Sequence, residues 1–149
     1  MDALKKINFA RDRGLEQSFP EHAELDKVEC ERLRRRLSKT IVGDQNASGM
    51  DLLQHIRKNS EVIEGVNAKS SDFSLGSIAF PMFSRGLVYI NWYRFDKIDI
   101  IDLSDLDRWF EYIWYPSVDD IEIFDLKCNR VLSIRHDGLV SLSVMPRGA

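Results

Sequence analysis

An α+β fold is predicted by this sequence: N-terminal helices packed on a mostly antiparallel sheet of about five or six strands, with one helix inserted before a C-terminal three-strand meander. Three features of the chain point there. Apolar residues recur at helical spacing between Pro20 and Ile56, alternation with polar residues takes over beyond Val62, and Asp137-Gly138 separates two alternating runs as hairpin dipeptides do. No repeat or linker divides the 149 residues, so residues 1–149 read as a single domain.

The elements follow in order. Asp2 to about Arg13 reads as a short helix stopped near Gly14. From Pro20 to about Val42, Leu25, Val28, Leu33, Leu37 and Ile41 predict one long helix, with carboxylates toward its start, bases toward its end and Gly43 as its stop. Ser48 or Asp51 caps a shorter helix carrying Leu52, Leu53 and Ile56. Val62 to Val66 is a weak strand, and Ser77 to Phe83 reads as an edge strand, because Pro81 cannot donate to a ladder. Leu87 to Phe95, apolar or aromatic on both faces, is expected at the centre of the sheet, with Ile98 to Ile101 as a short strand after it.

Ser104 is a good N-cap for a helix running to Tyr115, and Pro116 ends it. Leu106, Trp109, Phe110, Ile113 and Trp114 form its apolar stripe, leaving Asp105, Arg108, Glu111 and Tyr112 toward solvent. The tail then reads as strands Asp120 to Phe124, Arg130 to Arg135 and Leu139 to Val144, the last two joined by a type I′ turn at Asp137-Gly138. Helices are expected on one face of the sheet.

Composition narrows the function classes. With 44% hydrophobic residues and 15 aromatics the chain can build a core without metal or disulfide support. Cys30 and Cys128 lack CxxC spacing, so neither a disulfide framework nor a cysteine zinc site is expected. The uncharged run Phe73 to Ser84 is 12 residues long and holds Pro81, too short for a span of about 20. Without an apolar leader after Met1, the cytoplasm is the expected location. No cofactor motif is present: the Gly43–Gly49 loop lacks the Gly-Lys-Ser/Thr ending of a phosphate loop, and Gly-x-Ser-x-Gly is absent.

Charge is the uneven property. Net charge is −3, yet residues 96–125 hold ten carboxylates against Lys97 and Arg108. Thirteen of the 15 aromatics lie between Phe73 and Phe124, so acidic and aromatic residues share one segment. Such a segment repels nucleic acid and suits a basic protein partner. Asp105, Glu111, Tyr112, Tyr115, Asp119 and Asp120 are the candidate partner-binding residues.

The competing reading is a metal-dependent, nuclease-like enzyme using Asp119, Asp120, Glu122 and Asp125, with Lys127 completing an Asp-x-Lys pattern. Against it, Asp125-Leu126-Lys127 sits where a turn is expected, so no metal site is assigned. His136-Asp137 suggests a general base, but the hairpin accounts for both residues, and His22 and His55 lie on other elements. Arg32 to Arg36 reads as a solvated helix face, and a homodimer paired through the Ser77–Phe83 edge is a third expectation.

Residues Trp109-Phe110-Glu111-Tyr112-Ile113-Trp114-Tyr115-Pro116, Asp119-Asp120-Ile121, Ile123-Phe124-Asp125 and Leu132-Ser133-Ile134-Arg135-His136-Asp137-Gly138 resemble the C-terminal half of small, mostly uncharacterised bacterial proteins. Some of those are similar to polymorphic-toxin immunity proteins. The resemblance implies a stand-alone α+β protein that blocks a toxin by occlusion, with no catalytic residues to carry over.

Overall fold

In the computed structural model, which describes residues 1–14 and 16–143, Asp2 opens the first helix, α1 (Ala3–Arg13), its side chain accepting from the Leu4 amide. The predicted long helix is in fact two elements. His22–Glu24 is a strand, β1, and α2 (Lys27–Ile41) starts only at Asp26. The reason is local: Asp26 accepts from the Glu29 amide while Glu29 reaches back to the Asp26 amide, a reciprocal capping box that fixes the start. Val28, placed in the apolar stripe by spacing, is therefore first-turn and 65% exposed. Ser48 caps α3 (Gly49–Lys58) as expected, and β2 (Ser60–Asn67) follows.

Residues Leu75–Phe83 are not an edge strand but a helix, α4, despite Pro81. Ser74 caps it through the Ser77 amide, and Leu75, Ala79 and Phe83 are buried at i, i+4 and i+8. Burial of that stripe outweighs the proline, and the dimer edge expected there does not exist. Strands β3 (Leu87–Tyr93) and β4 (Lys97–Asp102) form a hairpin, after which Asp102, not Ser104, caps α5 (Leu103–Arg108). The predicted single helix breaks at Trp109 into α5 and α6 (Phe110–Ile113), yet its stripe faces the core as expected: Leu106 and Ile113 are fully buried and Trp114 nearly so. The meander is β5 (Ile121–Asp125), β6 (Val131–Ile134) and β7 (Leu139–Ser143); Val144 lies outside the described residues.

The type I′ geometry sits elsewhere than predicted. At the β6–β7 hairpin only Gly138 has positive φ (92°), and the Gly138 amide donates to the Arg135 carbonyl, closing a three-residue loop. In the β3–β4 hairpin, by contrast, Arg94 (φ 44°) and Phe95 (φ 61°) are both left-handed, and the Asp96 amide donates to the Tyr93 carbonyl. Two non-glycine residues in that region cost on the order of 1–3 kcal/mol each. Phe95, 1% exposed among Ile98 and Phe124, offsets the strain by burial, and Asn91 Oδ1 accepts from the Phe95 and Tyr93 amides to hold the turn.

The seven strands form one antiparallel sheet ordered β1-β4-β3-β5-β6-β7-β2, one or two strands more than predicted, with β3 in the interior as expected. Helices cover both faces, not one. Val88, Ile90, Ile101, Ile121, Ile123, Leu132, Ile134 and Val140 pack under α4, α5 and α6, while Phe124, Val131 and Ile98 pack under α2 and α3. On the second face one row is polar: Asn91, Glu122, Ser133 and Ser141 are register partners across four adjacent strands, all buried. The edges, a three-residue strand and a strand with a register shift carrying Glu61 and Glu64, are poor templates for strand addition.

Candidate functional site

The six predicted partner-binding residues fall into two groups. Asp119, Tyr115 and Asp120 are engaged within the molecule. The Lys5 ammonium lies 2.5 Å from Asp119 Oδ2 and 3.9 Å from the centre of the Tyr115 ring; Asp119 also accepts from the Tyr115 amide, and Asn8 donates to the Tyr115 hydroxyl. Asp120 Oδ1 accepts from the His136 amide at 2.6 Å and contacts its ring Nδ1 at 2.8 Å. Burial raises the Asp120 pKa, but those two His136 bonds, helped by the His136 and Arg57 charges, outweigh it and hold the carboxyl below its ordinary value.

On α5 and α6, Glu111 is exposed while Asp105 and Tyr112 are half-buried. Glu111 is 69% exposed and paired at 3.2 Å with Arg13 from the end of α1. The Arg13 guanidinium also lies over the Trp109 and Tyr112 rings, at 5.2 and 5.3 Å, and Tyr112 packs edge-on against Phe9. Asp105 is half-buried and makes no ion pair among the described residues. Much of the acidic excess read from the sequence is thus compensated: Asp99 faces the Met1 amine at 2.6 Å, Asp102 caps α5, and Asp107 accepts from the Gly76 amide at the start of α4.

The four carboxylates of the metal reading are separated. Asp119 turns to Lys5, Asp120 to His136, Glu122 to Asn91, and Asp125 closes its own turn by accepting from the Lys127 amide. Among the described residues no three His, Cys, Asp or Glu side chains converge on a metal position. His22 contacts the Pro20 carbonyl, and His136 pairs with Asp120 rather than Asp137. In the basic run Arg34 donates to the Ala47 carbonyl and Arg35 pairs with Glu31, while Arg32 and Arg36 are exposed.

A cleft that the motifs did not reveal lies between α3, the β3–β4 hairpin and the lead into β5. It measures about 330 Å³ and is lined by Met50, Leu53 and Arg57 from α3, Trp92, Tyr93 and Arg94 from the hairpin, and Val118, Asp120 and Glu122. Gly49 sets the helix against the hairpin, because a Cβ there would stand 2.0 Å from the Arg94 carbonyl oxygen. Glu122 forms the floor. Its Oε1 accepts from Asn91 Nδ2 at 2.8 Å, and burial pushes its pKa up to about 7 against the opposing pull of Asn91 and the more distant Arg57. Sequence reasoning weighed Glu122 only within the rival metal reading and passed over Asn91, Arg57 and Arg94. Asn91 carried the one legible signal, a carboxamide inside an otherwise apolar strand.

Comparison with protein-family models, with curated proteins and with solved structures found no match. Among the described residues no helix is long and apolar enough to cross a membrane.

Proposed function

We propose that this protein works by binding another protein, whose basic side chains meet the surface around Glu111. The exposed Arg13–Glu111 pair beside the Tyr112 and Trp109 rings carries this reading. An ion pair so exposed stabilises by at most about 1 kcal/mol. A partner's Arg or Lys therefore replaces Arg13 at small cost and gains the face of Tyr112, an aromatic of the kind enriched where binding energy concentrates. Asp105 adds a second acidic contact, while Asp119 and Tyr115 hold α1, which carries Arg13, through Lys5 and Asn8. The resemblance carried by residues 109–138 favours the narrower reading of an immunity-like inhibitor that covers a basic, nuclease-type toxin.

The test uses the wild-type protein and its Glu111→Lys and Asp105→Lys variants as baits in the cells that make it. The expected result is one basic partner retained by the wild type at about 0.1 M salt, released at about 0.5 M, and bound at least tenfold more weakly by Glu111→Lys. Equal retention by all three baits overturns the reading, as does retention of no specific basic protein.

A further inference from the structure

The cleft beneath α3 combines features that a solvated surface hollow lacks. Its floor is a glutamate with 6% of its surface exposed, whose Oε1 is fixed by Asn91 and whose Oε2 has no hydrogen-bond partner among the described residues. Asn91 is itself immobilised, since its Oδ1 accepts from the Phe95 and Tyr93 amides, so its Nδ2 is directed at Glu122. The mouth carries Arg57 and Arg94, neither of which makes an ion pair among the described residues. Arg94 occupies one of the two left-handed positions of the strained hairpin, where glycine is the economical choice. The Arg94 guanidinium rests over the Tyr93 ring at 5.0 Å, at the rim of the cleft that both residues line.

Two poles of opposite character therefore line a cleft of about 330 Å³, at the small end of the range for ligand sites, and the Arg57 charge acts on both Asp120 and Glu122. One pole accepts: Glu122 Oε2 and Asp120 Oδ2, the latter left over after Oδ1 engages His136. The other donates, through the two arginines. Between them Met50, Leu53 and Val118 offer an apolar wall. We propose that the cleft binds a small zwitterion of the α-amino-acid class, its ammonium on Glu122 and Asp120, its carboxylate on Arg57 and Arg94, and an apolar side chain against Met50 and Leu53. A pure anion leaves the buried carboxyl unmatched, and a pure cation leaves the two guanidinium groups opposed.

The charged groups facing Glu122 are Arg57 from α3 and Asp120 from the lead into its own strand; Asn91 of β3 and Ser133 of β6 are its neutral neighbours. Because the ammonium needs the ionised carboxyl, and that carboxyl titrates near 7, affinity rises by about tenfold between pH 6 and pH 8.

The experiment titrates the isotopically labelled protein with the twenty common amino acids and follows amide shifts. For leucine, the amine-only analogue 3-methylbutylamine and the carboxylate-only analogue 4-methylpentanoate are added. The expected result is saturable binding of at least one apolar amino acid, with shifts confined to α3 and residues 92–94 and 118–122. Each half-ligand binds at least tenfold more weakly. Glu122→Gln and Arg57→Gln each lower affinity at least tenfold with the native amide spectrum retained outside the cleft, and Arg94→Gly lowers affinity while leaving the protein no less stable. Absence of saturable shifts with all twenty amino acids overturns the proposal. So does equal binding of a half-ligand, or affinity unchanged in both Glu122→Gln and Arg57→Gln. None of these outcomes touches the Glu111 surface, so the two readings stand or fall separately.

Discussion

Replacing Asp119 by Asn tests the internal engagement of the acidic segment directly. Lys5 Nζ and Asp119 Oδ2 are 2.5 Å apart, with the two side chains 4% and 14% exposed. At an effective dielectric of about 20, unit charges at that separation attract by roughly 6–7 kcal/mol. Some of this is returned, because the variant no longer dehydrates a carboxylate, and its amide oxygen can still accept from the Tyr115 amide. Breaking one side of a buried pair costs about 3–5 kcal/mol in general, and the Tyr115 and Trp92 rings retain on the order of 1 kcal/mol of attraction for the ammonium. The expected loss is about 2–4 kcal/mol, or roughly 4–16 °C in midpoint for a chain of this size. Urea unfolding followed by tryptophan fluorescence measures it, with the Trp92 ring 5.0 Å from the ammonium. Adding Lys5→Met removes the stranded cation, so the double variant should regain at least half of the loss. A loss below about 1 kcal/mol in Asp119→Asn, or additive effects in the cycle, refutes a buried, coupled pair.

Glu122 gives a pH signature. Its folded pKa of about 7 exceeds the ordinary 4.5, so the native state holds the extra proton, and the stability this brings is full below about 4.5 and lost as pH rises through 7. Glu122→Gln should remove a slope worth up to roughly 3 kcal/mol over that interval and be more stable than wild type at pH 8; parallel curves from pH 4 to 8 argue against a buried neutral acid. Gly49→Ala places a methyl 2.0 Å from the Arg94 carbonyl oxygen and should cost about 1–3 kcal/mol while displacing the hairpin, visible as amide shifts at residues 92–96. Unchanged shifts there mean that helix and hairpin are less tightly apposed. Asp26→Ala removes the capping box of α2 and should lower stability by about 1 kcal/mol in chemical denaturation, against no change if Lys27 lies inside a longer helix.

Much of the fold was legible because its signals are local. The C-terminal meander announces itself through Ile121 and Ile123, Leu132 and Ile134, and Val140 and Leu142, and the stripe from Leu106 to Trp114 predicts burial even though the helix carrying it breaks at Trp109. Elements went astray where two local patterns overlap. The apolar period starting at Leu25 ran over the capping box Asp26 and Glu29, hiding β1, whose partner Ile101 is distant in sequence. In α4, alternation and Pro81 imitated an edge strand, while Leu75, Ala79 and Phe83 kept helical spacing.

The sites were less legible, because they are defined by pairings between remote positions. Nothing near Asp119 signals that Lys5 will neutralise it, and nothing near Glu122 signals that Arg57 will act on it. Charge counted along the chain therefore overstated the charge that reaches the surface.

The tethering of α1 has a bearing on how the chain is made. Its bonds to the rest of the molecule, Lys5 to Asp119, Asn8 to Tyr115 and Arg13 to Glu111, span 114, 107 and 98 positions. At about 5–20 residues per second, this helix leaves the ribosome several seconds before its receptors exist. Phe9 meanwhile stays without the Trp109 and Tyr112 rings that later enclose it, and a holding chaperone has its opportunity during that interval. A helix made well ahead of its receptors is therefore among the last elements to be secured.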